Sequence, residues 1–142
     1  MNMEQLKELY TKYLAAAEKA EKNKTGWNGA FGIGTSTKDH PCHDDYFEEM
    51  EKWSGDFLAK NPSQEEAEAA ITYIFEMSEA HRNQLTYWYM YAAHGFVRPL
   101  IGLVSPEFAG KMRKWYEDHH PRQDRLPVQR EVFKLLKKRE KA

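Results

Sequence analysis

The densest run of chemically capable side chains is DHPCHDD, which places Asp39, His40, Cys42, His43, Asp44 and Asp45 within seven residues. Imidazole and thiolate are ligands that zinc accepts, so His40, Cys42 and His43 form a candidate centre for zinc or another divalent metal. Three near-adjacent residues rarely close a tetrahedral shell, so a distant histidine such as His81, His94 or His119 would have to complete it. No CxxC pair or HExxH motif supports the site. A second chemistry for the same segment is nucleophilic. Cys42 beside two imidazoles at the start of a helix would favour the thiolate, which becomes catalytic only if the fold supplies a base and an orienting group. A structural account competes with both: Pro41 suits a first helical turn, and Asp44 and Asp45 suit the positive end of the helix dipole.

Tyr87, Tyr91, His94 and Arg98 recur at spacings of four, three and four, which in an α-helix puts them on one face. Such a face can line a pocket in which Arg98 holds the charge of a small anionic ligand and the tyrosines supply hydroxyls and flat walls. Trp27 is a further ligand-binding candidate. It lies in the stretch from Asn23 to His40, NKTGWNGAFGIGTSTKDH, which holds four of the eight glycines. A loop this long and glycine-rich is often functional, yet it ends in no GK[ST] and does not follow the GxGxxG order, so a phosphate loop is not indicated. His119 and His120 close a helical segment and complement its dipole without needing a ligand.

The elements that must position these residues read as helices. Apolar residues recur three and four apart in six segments, and none shows sustained strand alternation. The first segment runs from about Met3 to Lys22, with Leu6, Leu9, Tyr10, Tyr13, Leu14 and Ala17 on its stripe. The second, about His43 to Lys60, repeats Phe47, Met50, Ser54, Phe57 and Leu58 with Trp53 at the margin, and stops at Asn61-Pro62. Ser63 and Glu66 form a capping box for the third, whose stripe is Ala67, Ala70, Ile71, Ile74, Phe75 and Ser78. A fourth spans Leu85 to about Val97, with a break or kink expected at Arg98-Pro99. Ser105-Pro106 opens a fifth through Phe108, Met112, Trp115 and Tyr116. Pro127 opens a sixth, with Val128, Val132, Leu135 and Leu136 inward and a Lys-rich end. The expectation is an all-α, bundle-like or orthogonal array of five to six helices forming a single domain over residues 1–142. It carries one irregular Gly-rich loop at about 23–40 and a basic C-terminal helix at about 127–141.

Composition narrows the function classes. One cysteine in 142 residues excludes an intrachain disulfide, and the start MNMEQLKELY has no apolar run after a basic stretch, so the expectation is a cytoplasmic protein. The apolar stretch from Leu85 to Val104 contains His94, Arg98 and Pro99, which argues against a membrane span. Lys and Arg number 21 against 22 Asp and Glu, a net charge of −1, so general polyanion binding is not indicated and nucleic acid is a poor candidate partner. The charge is unevenly placed. Asp39 to Glu79 holds twelve acids and two bases, a net of −10, whereas Lys111 to Ala142 holds eleven bases and five acids, a net of +6. With no assembled catalytic motif, the reading is a non-enzymatic binding or regulatory module that uses an aromatic and polar pocket or surface, with a protein partner or a second copy as its occupant. The alternative is a small metal- or cysteine-dependent enzyme centred on His40, Cys42 and His43.

Overall fold

A computed structural model describes residues 3–23, 43–80, 93–119 and 127–142, and every regular element within them is helical. These are α1 (Met3–Asn23), α2 (His43–Ala59), α3 (Gln64–Ala80), a 3₁₀ helix (Ala93–Leu103), α4 (Pro106–His119) and α5 (Pro127–Glu140). The 3₁₀ helix is the hub, packing against α2, α3 and α5, while α1 lies on α2 and α4 on α5. Most of the expected glycine-rich loop lies outside the described residues, as does the stretch before Ala93 where the fourth helical segment was expected. No helix among the described residues is long and apolar enough to cross a membrane.

Local chemistry explains where the helices start and stop. Asn61 takes a left-handed φ of 51°, a conformation asparagine tolerates better than most residues, and its N–H donates to the Leu58 carbonyl at 3.1 Å. Pro62 then prevents resumption. Ser63 Oγ accepts from the Glu66 N–H at 3.1 Å, and the Glu66 carboxylate accepts from the Ser63 N–H at 3.3 Å, so the capping box forms in both directions. Ser105 caps α4 by accepting from the Phe108 N–H at 3.0 Å. Its own N–H donates to Glu68 of α3 at 3.0 Å, tying the two helices together.

Two expectations about packing change. On α2 Met50, Ser54 and Phe57 are buried and Leu58 is half-buried, as expected, but Tyr46 and Trp53 are buried with them, whereas Phe47 is 37% exposed. The buried face is therefore wider toward Tyr46 and Trp53 than expected, because turning them inward buries two large rings, and Tyr46 meets Tyr13 of α1 edge-on at 5.0 Å. The chain also does not break at Arg98-Pro99. It continues as a 3₁₀ helix through Pro99 to Leu103. In an α-helix the Gly95 carbonyl would accept from the N–H of residue 99, which proline lacks. Here Arg98 Nε donates to that carbonyl at 2.8 Å. The tighter helix turns every three residues, which is why His94, Val97 and Leu100 are all buried on one side.

Candidate functional site

The 3₁₀ geometry decides the fate of the expected Tyr87–Arg98 face. Residues four apart are separated by about 120° in a 3₁₀ helix and by about 40° in an α-helix. His94 accordingly points into the core, fully buried, with Nδ1 3.2 Å from the Tyr116 hydroxyl and its ring 4.9 Å from that of Phe75. Arg98 points outward and its Nη1 donates to Glu131 of α5 at 2.8 Å, so the anion it meets is a carboxylate of the same chain. Tyr87, Tyr91, Trp27, His40 and Cys42 lie outside the described residues; His43 is the first residue of α2, with its side chain not described.

Among the described residues no three His, Cys, Asp or Glu side chains converge as a metal site. His94 is in the core, while His119 is exposed, donates from Nδ1 to the Trp115 carbonyl at 2.8 Å, and stacks on the Trp115 ring at 4.3 Å. Both histidines take part in the ring cluster around Phe75, Trp115 and Tyr116, where Phe75 and Trp115 stack at 5.0 Å. That cluster joins α3, the 3₁₀ helix and α4.

Polar groups gather around an open space elsewhere, in a groove of about 350 Å³ between α1 and α2. Gln5, Glu8, Leu9 and Lys12 form one wall, and Glu49, Lys52, Trp53 and Asp56 form the other. Asp45 and Glu48 extend the α2 wall toward the start of that helix. Three bonds organise the groove. Tyr13 is fully buried, yet its hydroxyl reaches the groove wall and donates to Glu49 Oε2 at 2.7 Å. Lys12 Nζ reaches both Glu49 oxygens, at 3.1 and 3.2 Å. Adjacent residues of α1 thus grip one carboxylate, Tyr13 from below and Lys12 from the solvent side.

This grip has an electrostatic result. The Tyr13 hydrogen bond first, and the Lys12 hydrogen bond second, hold the Glu49 carboxyl below its ordinary pKa against the opposing effect of burial. Glu49 is therefore ionised at neutral pH and is a poor proton acceptor. With Glu8, Asp45, Glu48 and Asp56 it gives the groove five carboxylates against the ammonium groups of Lys12 and Lys52.

Sequence reasoning did not find this groove. Lys12 and Glu49 are separated by 37 residues and each is an ordinary occupant of a polar helix face, so only the pairing of α1 with α2 brings them together. The one sequence signal pointing here is the excess of acids between Asp39 and Glu79. Compared with protein-family models, curated proteins and solved structures, the chain gave no match.

Proposed function

We propose that this protein is a non-enzymatic helical binding module whose α1–α2 groove receives a cationic segment of a partner. The observation that carries the reading is the groove itself: an open space of about 350 Å³ whose walls bear more carboxylates than ammonium groups. Its size is that of a ligand site, and the polar groups converge on it from two helices. Glu49 supports binding over acid–base chemistry, because a carboxyl held below its ordinary pKa accepts hydrogen bonds and pairs with cations but takes up protons poorly. Lys12 and Lys52 contribute to register, since an incoming cation is repelled by both and attracted by Glu49, Glu8 and Asp56.

The test is a titration of isotope-labelled protein with tetralysine, followed by amide chemical shifts. Shifts confined to α1 and α2 around Glu8, Glu49 and Asp56, weakened by added salt and by Glu49→Gln, are the expected result. Shifts centred on α4 and α5, or none at millimolar peptide, would reject the groove as the site.

A further inference from the structure

The outer face of α5 is the mirror image of the groove in charge. With about 100° of rotation per residue, Arg130, Lys134, Lys137 and Lys138 fall within one sector about 100° wide, and Lys141 follows in the turn after α5. That sector lies opposite the side on which Gln129, Val132 and Leu136 are buried. Arg130, Lys134, Lys137, Lys138 and Lys141 are all exposed. Arg130, Lys134 and Lys138 make no ion pair among the described residues; Lys137 sits over the Phe133 ring at 5.3 Å, and Lys141 adjoins Glu140. The acids on α5 are engaged elsewhere, Glu131 with Arg98 and Glu140 with Arg113. The stripe is therefore uncompensated.

We infer that this stripe docks on the α1–α2 groove of a second copy of the chain, in a head-to-tail contact. The inference rests on the groove being a binding site for cationic segments. Two features select a second copy. First, the charges are complementary: the stripe carries five cations, and the groove carries five carboxylates against two ammonium groups. Second, the stripe does not serve its own chain, because α5 packs against α4 and the 3₁₀ helix whereas the groove is built by α1 and α2. A nucleic acid or an anionic bilayer would find no overall attraction, because the chain carries a net charge of −1, and the same small charge leaves little overall repulsion between copies. Because stripe and groove are different surfaces, a single contact leaves one stripe and one groove open, and further copies extend it into chains or rings.

Sedimentation velocity across a concentration series tests this. At ~10 mM salt, where the Debye length is about 30 Å, the average mass is expected to rise with concentration; at ~1 M salt, where it is about 3 Å, the chain is expected to be monomeric. Lys134→Glu with Lys138→Glu cuts the charge of the stripe from +5 to +1, and Glu48→Lys with Asp56→Lys changes that of the groove from −3 to +1. All four positions are exposed, and circular dichroism confirms that helix content is kept. Each variant alone is expected to stay monomeric at low salt, while an equimolar mixture associates, because the native stripe of one meets the native groove of the other. A wild-type chain that is monomeric at low salt, or a stripe variant that associates as the wild type does, overturns the inference. So does stripe-dependent binding to duplex DNA or to phosphatidylserine vesicles without self-association. If tetralysine still shifts the groove amides in a chain that does not self-associate, the groove stands as a binding site and only the second copy is rejected.

Discussion

Tyr13→Phe isolates the bond that organises the groove. Phenylalanine keeps the ring and its edge-on contact with Tyr46 at 5.0 Å, so packing on α2 is preserved and only the hydroxyl is lost. A hydrogen bond to a charged group is worth about 1.5–3 kcal/mol. The Glu49 side chain is 40% exposed and Lys12 remains within reach, so water and the lysine replace part of the loss, and a net cost of about 1 kcal/mol is expected. For a chain of this length that corresponds to a fall in Tm of about 3–4 °C. The pH dependence supplies the sharper check. Glu49 has a depressed folded-state pKa, so its contribution is present above the unfolded value and is lost as pH falls through the lowered folded value. Tyr13 is the largest cause of that depression, and in the variant the Glu49 carboxyl should titrate nearer its ordinary value. The stability gap between wild type and variant should therefore be complete at pH 7 and narrow below about pH 4. Denaturant unfolding from pH 7 to 3, with carboxyl chemical shifts of Glu49, measures both. An undiminished gap at pH 3, or one above about 3 kcal/mol at pH 7, would show that the hydroxyl acts through packing and not through the carboxylate.

Three further outcomes are expected. Tyr116→Phe removes the hydroxyl 3.2 Å from buried His94 Nδ1 and should cost about 1–3 kcal/mol with helix content unchanged; a neutral result by thermal unfolding would mean that the contact contributes nothing. Asn61→Gly relieves a non-glycine residue at φ 51° in the α2–α3 turn, whereas Asn61→Ala should destabilise by about 1 kcal/mol, and the reverse order would contradict the left-handed turn. Gly110→Ala adds a Cβ 2.9 Å from Glu140 Oε1, the far end of a flexible side chain that can swing aside. The helix-propensity gain of about 1 kcal/mol should therefore keep the protein at least as stable. Meanwhile the Glu140 carboxyl, held low chiefly by its hydrogen bond from Arg113, should titrate higher. A fall in stability would mean that Glu140 is locked in place.

Helix boundaries were legible because they depend on neighbours in sequence. Ser63 with Glu66, Asn61 with Pro62, and Ser105 with Pro106 each act within four residues, and each stands where its chemistry places it. The face that a helix buries was less legible. On α2 either Tyr46 or Phe47 can continue the spacing of Met50, Ser54 and Phe57, and the proximity of Tyr13 turns Tyr46 inward. The pairing of His94 with Arg98 as neighbours on one face assumed 3.6 residues per turn, and the change to three per turn around Pro99 separates them. The Lys12–Tyr13–Glu49 grip was not legible at all, because it depends on which helices meet.

The helix at the hub is also the most extended one. At about 2.0 Å per residue, the 11 residues of Ala93–Leu103 cover about 22 Å, where an α-helix of the same residues would cover about 16 Å. A short segment thereby reaches α2, α3 and α5 along its length. Its threefold repeat makes it unforgiving of length changes. Inserting a single residue ahead of Val97 would swing everything beyond it through a third of a turn and carry Val97, Leu100 and Ile101 away from their contacts together, so this axle leaves little room for insertion.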